Sequence, residues 1–428
     1  MKKVRSIIVC ICTIAVAMTA MPMSSVAQTV SLVEIQNTIR QTNPTLRMYD
    51  ADIRAMDEAA EGAKSWMPPE VSTGLWMAPY DVRLWRARSD GMGGTSGEGM
   101  GQYMIGVQQM FPNPGRQDAD YKYMGAMSSV ERERKGVATA DLLAQASIAY
   151  YSWLIDKQKL EVLRQNEQVL QLMIKNAELR YNNGRDKISA YYKAMAAVGI
   201  LENMRRMIQS DMAQRRITLN TLMNRDKNIV FDIDSTYAVK DYGSALSDTS
   251  FIAGRSDIKA ITESIRLAGL QQDAERAKLG PEFGVRYEHM IGLGGQPPQY
   301  TLMVMMRLPF VGWASRMSSA NVESLRWREE ALAQQRQMFV NDATGMAAQM
   351  RAELEQQQQQ VKLYEENILP AIRRNYQTMQ LGYEQNTEEL FMLYDAWETL
   401  NMAQLDYLEK LRQLLLTQVA LDRILEIR

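Results

Sequence analysis

Between about Gln117 and Tyr181 the chain holds no proline, and its apolar residues recur at alternating steps of three and four. Leu163, Leu170 and Ala177 make one line and Leu160, Ile174 and Tyr181 the other, the seam of a coiled coil. At 1.5 Å per residue, about 65 residues form a rod of roughly 100 Å. A helix of that length is more than a globular core can cover, so it needs other long helices beside it. Tyr181-Asn182-Asn183-Gly184 breaks the rod, and a second helix is expected from about Lys187 to Met223. The two read as a hairpin with its tip near Asn182 to Asp186.

The same events recur downstream. Ala63-Lys64 followed by Pro69-Glu70 is echoed by Ala277-Lys278 followed by Pro281-Glu282, each a helix end leading into an alternating strand. The corner Phe111-Pro112-Asn113-Pro114-Gly115 is echoed by Leu308-Pro309-Phe310-Val311-Gly312, each a strand turning into a helix. A second proline-poor tract runs from about Ala314, interrupted by Pro370, with Val361, Ile368, Ile372, Met379 and Tyr383 at steps of seven and four. It breaks at Gly382-Tyr383-Glu384-Gln385-Asn386-Thr387-Glu388 and resumes. Tyr181 precedes Ala194 by 13 residues, and Tyr383 precedes Ala396 by 13. These echoes predict a duplication, with one repeat over 28–250 and another over 251–428. Each would contribute a short helix, two strands, a very long helix and a helix of about forty residues.

The strands are expected at Glu70–Tyr80 paired with Gly101–Phe111, and at Glu282–Ile291 paired with Gln299–Pro309. Tyr300, Leu302, Val304, Met306 and Leu308 share one face, whereas Thr301, Met303, Met305 and Arg307 share the other. Phe283, Val285, Tyr287 and Ile291 likewise oppose Gly284, Arg286 and Glu288. About ten residues with one apolar and one mixed-polar face, and aromatics toward the ends, is the pattern of a transmembrane β-barrel strand. Four strands cannot close a barrel alone, and lipid tolerates no open edge, so the barrel would be shared between subunits.

Export is a premise of that reading. Lys2, Lys3 and Arg5 precede an apolar run from Ile7 to about Met21, and Ser25-Val26-Ala27 supplies small residues for cleavage, so 1–27 reads as a secretory signal peptide. Cys10 and Cys12, both inside that segment, are the only cysteines, which excludes disulfides and Cys metal ligands from the mature chain. The sequence carries 49 Lys+Arg and 50 Asp+Glu; without the leader's three basic residues the balance is about −4, and no basic tract suggests nucleic acid.

Taken together, Gln41-Thr42-Asn43-Pro44, the Ala-Lys…Pro-Glu helix ends, Gln109 to Gly115, Ala177 to Gly184, and Gly382 to Ala396 resemble the TolC-like outer membrane efflux proteins over the whole mature chain. The resemblance implies a mainly α fold in which duplicated coiled-coil hairpins form an α-barrel tunnel, while four strands per subunit join a twelve-stranded barrel in a homotrimer. It implies an outer-membrane exit duct with a large periplasmic portion, serving a tripartite efflux or type I secretion system. The partners would be outer-membrane lipid, a periplasmic adaptor (membrane fusion protein) and an inner-membrane pump of RND or ABC type, with no cofactor. Pro112, Pro114, Gly115, Pro309 and Gly312 would mark where strand becomes tunnel helix. The turns at Gly184, Arg185 and Asp186 and at Asn386, Thr387 and Glu388 would meet the adaptor. In the family an acidic segment narrows the periplasmic mouth; Leu393-Tyr394-Asp395-Ala396 is the match, making Asp395 the candidate gate residue. Where the family often has a second acid one turn earlier, this chain has Met392.

Catalysis finds little support in the residues. His289 is the only histidine, which leaves no triad and no histidine cluster for zinc. Glu329-Glu330, Glu388-Glu389 and the glutamine run Gln356 to Gln360 read as solvated helix faces. Methionine is abundant, 31 in all with four in the leader. Thioether sulfur suits Cu(I) and Ag(I), and some TolC-like ducts serve copper and silver pumps, so metal ions join small toxic compounds as expected cargo. The competing reading is a secreted periplasmic coiled-coil structural or interaction protein whose strands form a soluble head.

Overall fold

The computed structural model describes residues 29–89, 95–97, 99–183, 188–240, 242 and 251–426. The leader expected at 1–27 lies outside the described residues. In chain order the elements are β1 (Thr29–Val30), α1 (Leu32–Thr42), α2 (Pro44–Gly62), β2 (Glu70–Trp76), β3 (Arg88–Ser89), β4 (Thr95–Gly97), β5 (Gln102–Phe111), α3 (Pro114–Asn182) and α4 (Ile188–Leu222). There follow β6 (Asp232–Ile233), α5 (Phe251–Gly254), α6 (Ser256–Ala277), β7 (Glu282–Gly292), β8 (Gln299–Arg307), α7 (Gly312–Leu363), a π turn (Tyr364–Ile368), α8 (Leu369–Glu384) and α9 (Leu390–Leu425). Long-helix hairpins thus occur twice, as the heptad spacing predicts, the 69-residue α3 pairing with α4 and the α7–α8 run with α9.

The chain divides into two compact units, each assembled from pieces of both sequence halves. One comprises residues up to Asn43 with Leu142–Asp241 and Leu354–Val419; the other comprises Pro44–Asp141, Tyr242–Glu353 and the C-terminal residues from Ala420.

The first unit is helical apart from the short parallel pair of β1 and β6, and holds its core between the hairpins. Leu163, Leu170, Met173 and Ala177 of α3 pack with Ala197 and Leu201 of α4, Tyr383 of α8, and Leu390, Leu393, Tyr394 and Trp397 of α9. Each fully buried leucine contributes about 1.5–3 kcal/mol relative to exposure. One expected seam line, Leu163–Leu170–Ala177, is buried as its spacing predicts. The other line differs: Leu160 and Ile174 are half-buried and Tyr181 is exposed, while Asn166 and Met173 take the buried positions. Asn166 is tolerated there because its amide donates to the Val162 carbonyl at 2.9 Å and to Gln404 at 3.2 Å.

Two prolines shape this unit. The expected single first helix is split into α1 and α2, because Pro44 disfavours helical geometry at Asn43, which sits at φ −64°, ψ 127°. The break leaves Asn43 free to cap another helix end: its amide donates to Leu222 O at 2.8 Å, and Thr42 Oγ1 donates to Met223 O at 2.7 Å. Pro370, which offers no backbone donor, is accommodated by the π turn before it, where Leu369 N–H donates to Tyr364 O five residues back.

The second unit carries a four-stranded antiparallel sheet in the order β2-β5-β7-β8. The two expected hairpin pairs are present, β2 ending at Trp76 and β8 at Arg307, both short of the expected strand ends. They are joined through β5 and β7, in a register that sets Phe111 opposite Phe283 and Tyr103 opposite Ile291. No helix among the described residues is long and apolar enough to cross a membrane.

Candidate functional site

The sheet register places side chains in rows across all four strands. One face carries Val71, Val107, Tyr287 and Leu302 in one row and Leu75, Tyr103 and Ile291 in another. Phe111, Phe283 and Met306 close that face at one end, where Trp66 meets Phe111 edge to face at 5.6 Å. At the other end Tyr103 Oη accepts from Thr73 Oγ1 at 2.7 Å, and midway along the face Tyr287 stacks on Tyr300 at 6.3 Å. His289, the sole histidine, lies on this face between Ile105 and Tyr300. From Phe111 to Tyr103 the apolar band runs about 26 Å along the strand, at roughly 3.3 Å per residue.

The opposite face holds Gln108, Arg286 and Met303 in one row, and Met110, Gly284 and Met305 in the next. Its buried carboxylates are paired. Glu282 accepts from Arg116 at 2.6 Å and from Arg307 at 3.0 Å; Arg116 also approaches Asp120 at 3.7 Å, and Arg286 pairs with Glu288.

Burial on the two faces is inverted relative to a water-soluble sheet. Glu282 is 7% exposed and Glu288 6%, whereas Tyr287 is 45%, Phe283 50% and Val304 77% exposed. The sheet curls around its polar face and turns its apolar face outward. An outward apolar face of this extent marks a surface that meets a membrane or another protein chain. Among the described residues the outermost strands β2 and β8 each have a neighbour on one side only, so each edge presents a row of backbone groups able to pair with another chain.

At the first strand-to-helix corner the Pro-Asn-Pro-Gly sequence forms a helix cap. Asn113 Oδ1 accepts from Gly115 N–H at 2.9 Å, and the Asn113 carbonyl accepts from Arg116 and Gln117 N–H, both at 3.0 Å. Pro114 occupies the first helical position, where its missing donor costs nothing. Asn113 also donates to Pro281 O at 3.3 Å, tying the corner to the start of β7. At the second corner Pro309 follows the end of β8 and Gly312 opens α7, with the Val311 carbonyl accepting from Ala314 and Ser315 N–H at 2.8 and 2.9 Å.

In the helical unit, Gly184, Arg185 and Asp186 lie outside the described residues; the flanking Asn183 donates its amide to Leu179 O at 2.8 Å. The second turn is fully described. Asn386 adopts φ 59°, the left-handed geometry the turn requires, and its N–H donates to Tyr383 O at 3.2 Å. The Gly382 carbonyl accepts from Thr387 N–H at 2.8 Å and Glu388 N–H at 3.2 Å, closing a Schellman motif with asparagine in the usual glycine position. Beside this turn, Leu172, Asn176, Arg180, Tyr376, Gln380 and Leu393 line a cleft of about 370 Å³.

Asp395 lies on the exposed side of α9, opposite buried Leu393, Tyr394, Ala396 and Trp397. Met392, Thr399, Met402 and Asp406 are exposed at the same three- and four-residue steps. Lys193 stands over the rings of Phe391 and Tyr394, 4.2 Å from each centroid, and steadies the helix start.

Sequence reasoning passed over Asp156. It is buried in α3, and burial pushes its carboxyl up to about 6, with Asp211 raising it further and Lys159, Arg215 and Arg412 opposing. Its place in the heptad, flanked by buried Ile155 and Leu154, was the available signal. Met104 and Met110 on the polar face of β5 were also passed over, although strict alternation from Gln102 would have placed them there.

Residues 35–225 match the family described as outer membrane efflux protein, a transport family. Similar solved structures include CusC, at 14% identity and TM-score 0.74 over 95% of this chain and 97% of that chain. VceC from Vibrio cholerae matches at 15% identity and TM-score 0.71 over 92% and 95%. The open state of the Neisseria gonorrhoeae MtrE outer membrane channel matches at 16% identity and TM-score 0.68 over 92% and 88%. At these identities the likeness shows the fold. No curated protein matches the sequence.

Proposed function

From a chain that resembles the TolC-like outer membrane efflux family, matching its sequence over residues 35–225 and carrying the fold of solved outer-membrane channels, we propose an outer-membrane exit duct. It works as a homotrimer with a periplasmic adaptor and an inner-membrane pump, in tripartite efflux or type I secretion, passing small toxic compounds or metal ions. The observation that carries this reading is the inverted sheet: buried carboxylates paired with arginines on the sheltered face, a largely apolar face outside broken by Gln109 and His289, and two edges without partners among the described residues. A soluble head on a secreted rod has no use for that arrangement. Three copies joined edge to edge would bring twelve strands into one barrel, with the polar face lining an aqueous lumen.

The exposed stripe from Met392 through Asp395 to Asp406 suits a helix that lines a pore, and three copies of Asp395 would form a cation-attracting ring. The turn at Asn386, Thr387 and Glu388, together with Gly184, Arg185 and Asp186, is the proposed adaptor contact, and the cleft beside Arg180 and Tyr376 offers an apolar seat with polar rims. Cell fractionation followed by detergent extraction tests the assignment. A detergent-extracted trimer from the outer membrane that conducts ions in a planar bilayer is expected; recovery as a soluble periplasmic species would overturn it.

A further inference from the structure

Six methionines lie in the four-stranded sheet, and five of them, Met104, Met110, Met290, Met303 and Met305, are on the sheltered polar face; Met306 alone faces outward. Filler methionines would be expected to favour the apolar face, where a thioether is as welcome as a leucine. The concentration on the polar wall is densest around Gly284. That glycine lies between Met110 on β5 and Met305 on β8, strands that do not touch each other. With no side chain at Gly284, Met110 Sδ moves into the space a Cβ would fill, and the Met305 methyl stands 3.3 Å from the same point. Met303 is the next residue along β8 on this face.

The surroundings favour sulfur as the donor. The two buried carboxylates beside the thioethers are engaged, Glu282 by Arg116 and Arg307 and Glu288 by Arg286, and Glu70, which shares this face opposite Gln108, sits on β2, two strands away from Gly284. No group of three or more His, Cys, Asp or Glu able to hold a metal exists among the described residues. A hard divalent ion finds no ligand set there, whereas a soft monovalent d10 cation prefers thioethers.

We propose that Met110, Met303 and Met305 form a thioether site for a soft monovalent cation, Ag(I) or Cu(I), on the inner wall of the duct. The proposal rests on the duct reading for the word "inner" but not for the ligand set, which comes from one chain. Two or three thioethers hold such an ion loosely, and a conduit needs binding weak enough to let the ion leave. Met104 and Met290, directly opposed across β5 and β7, offer a second pair of sulfurs three rows further along the same wall.

The test is calorimetric titration of Ag(I), in chloride-free buffer, into the purified detergent-solubilised protein, with molar mass measured by light scattering on the same sample. The variants are the double substitution Met110→Leu/Met305→Leu and, as control, Met306→Leu; leucine conserves volume, so folding should survive. The expected result is silver binding that weakens at least tenfold in the double variant and is unchanged in the control. Equal affinity in wild type and double variant, or an equal loss in the control, would overturn the site. The mass reports separately on the duct: a trimer without the tenfold difference refutes only the site. A monomer that shows the difference supports the site and refutes the duct.

Discussion

Arg180 grips Tyr383 twice, its guanidinium 3.9 Å above the ring centroid and one N–H donating 2.7 Å to the Tyr383 carbonyl. The contact fastens the last turn of α3 to the last turn of α8, beside the turn at Asn386. The ring lies in the buried cluster and the carbonyl belongs to the Schellman turn, so one side chain supports both packing and turn geometry. Arg180→Ala should destabilise by about 1–2 kcal/mol, from one cation–π contact and one charge-assisted hydrogen bond. Arg180→Lys should recover part of that, since the ammonium keeps the charge but not the planar reach. Chemical denaturation of the three proteins would show it, and equal midpoints would disprove the coupling.

Asp156 predicts an acid-side gain in stability. Burial raises its folded pKa to about 6, above the ordinary carboxylate value. A raised carboxylate pKa means that the folded state holds the proton more tightly, so the contribution is favourable below the unfolded pKa near 4 and disappears as pH rises through about 6. At neutral pH the ion is therefore a cost, moderated by Lys159, Arg215 and Arg412. Asp156→Asn should stabilise the protein by about 1–2 kcal/mol at pH 7.5, within the roughly 2.7 kcal/mol that two pKa units represent. The gap should close by pH 4. Melting temperatures of both proteins from pH 4 to 8 check this, and a gap that does not change with pH would contradict it.

Much of this was legible in the residues, and the exceptions have physical causes. Period-two alternation alone assigns Leu302 and Met303 to opposite faces, and the register agrees. The β5–β7 pairing that makes one sheet of two hairpins was not legible, because Val107 and Tyr287 meet across 180 residues and nothing local encodes their register. The second seam line was misplaced by apolarity: Leu160 and Ile174 looked like core, yet the 3.6-residue period turns Asn166 and Met173 inward on this face. The convergence of Met110 and Met305 depended on a gap at Gly284, which is visible only once three strands are aligned.

The first corner should respond to loss of its cap. Asn113→Ala removes the acceptor for Gly115 N–H and the donor to Pro281 O, and a lost helix cap costs typically about 1 kcal/mol. Asn113→Asp keeps the acceptor and places negative charge at the helix start, so it should retain most of the stability while losing the link to Pro281. Thermal unfolding in detergent would rank wild type above Asn113→Asp above Asn113→Ala, and two variants that melt together well below wild type would show that the Pro281 link matters more than the cap.

Asp395 supplies the most direct functional test. It projects from the exposed side of α9 while Leu393, Tyr394 and Trp397 anchor the other side, so its substitution leaves the helix packing intact. If three copies surround a pore, like charges in a narrow water-filled opening concentrate cations there. Asp395→Ala should preserve trimer mass yet weaken block of single-channel current by a trivalent cation at least tenfold, a change of about 1.4 kcal/mol in binding. Met392→Asp should do the reverse, because position 392 lies one turn earlier on the same exposed stripe and would add a second acidic tier. Block that is unchanged in both variants would place the mouth elsewhere. Tightening with Met392→Asp but no loss with Asp395→Ala would put the stripe at the pore and reassign its acidic constriction to Asp406, which shares the exposed face of α9.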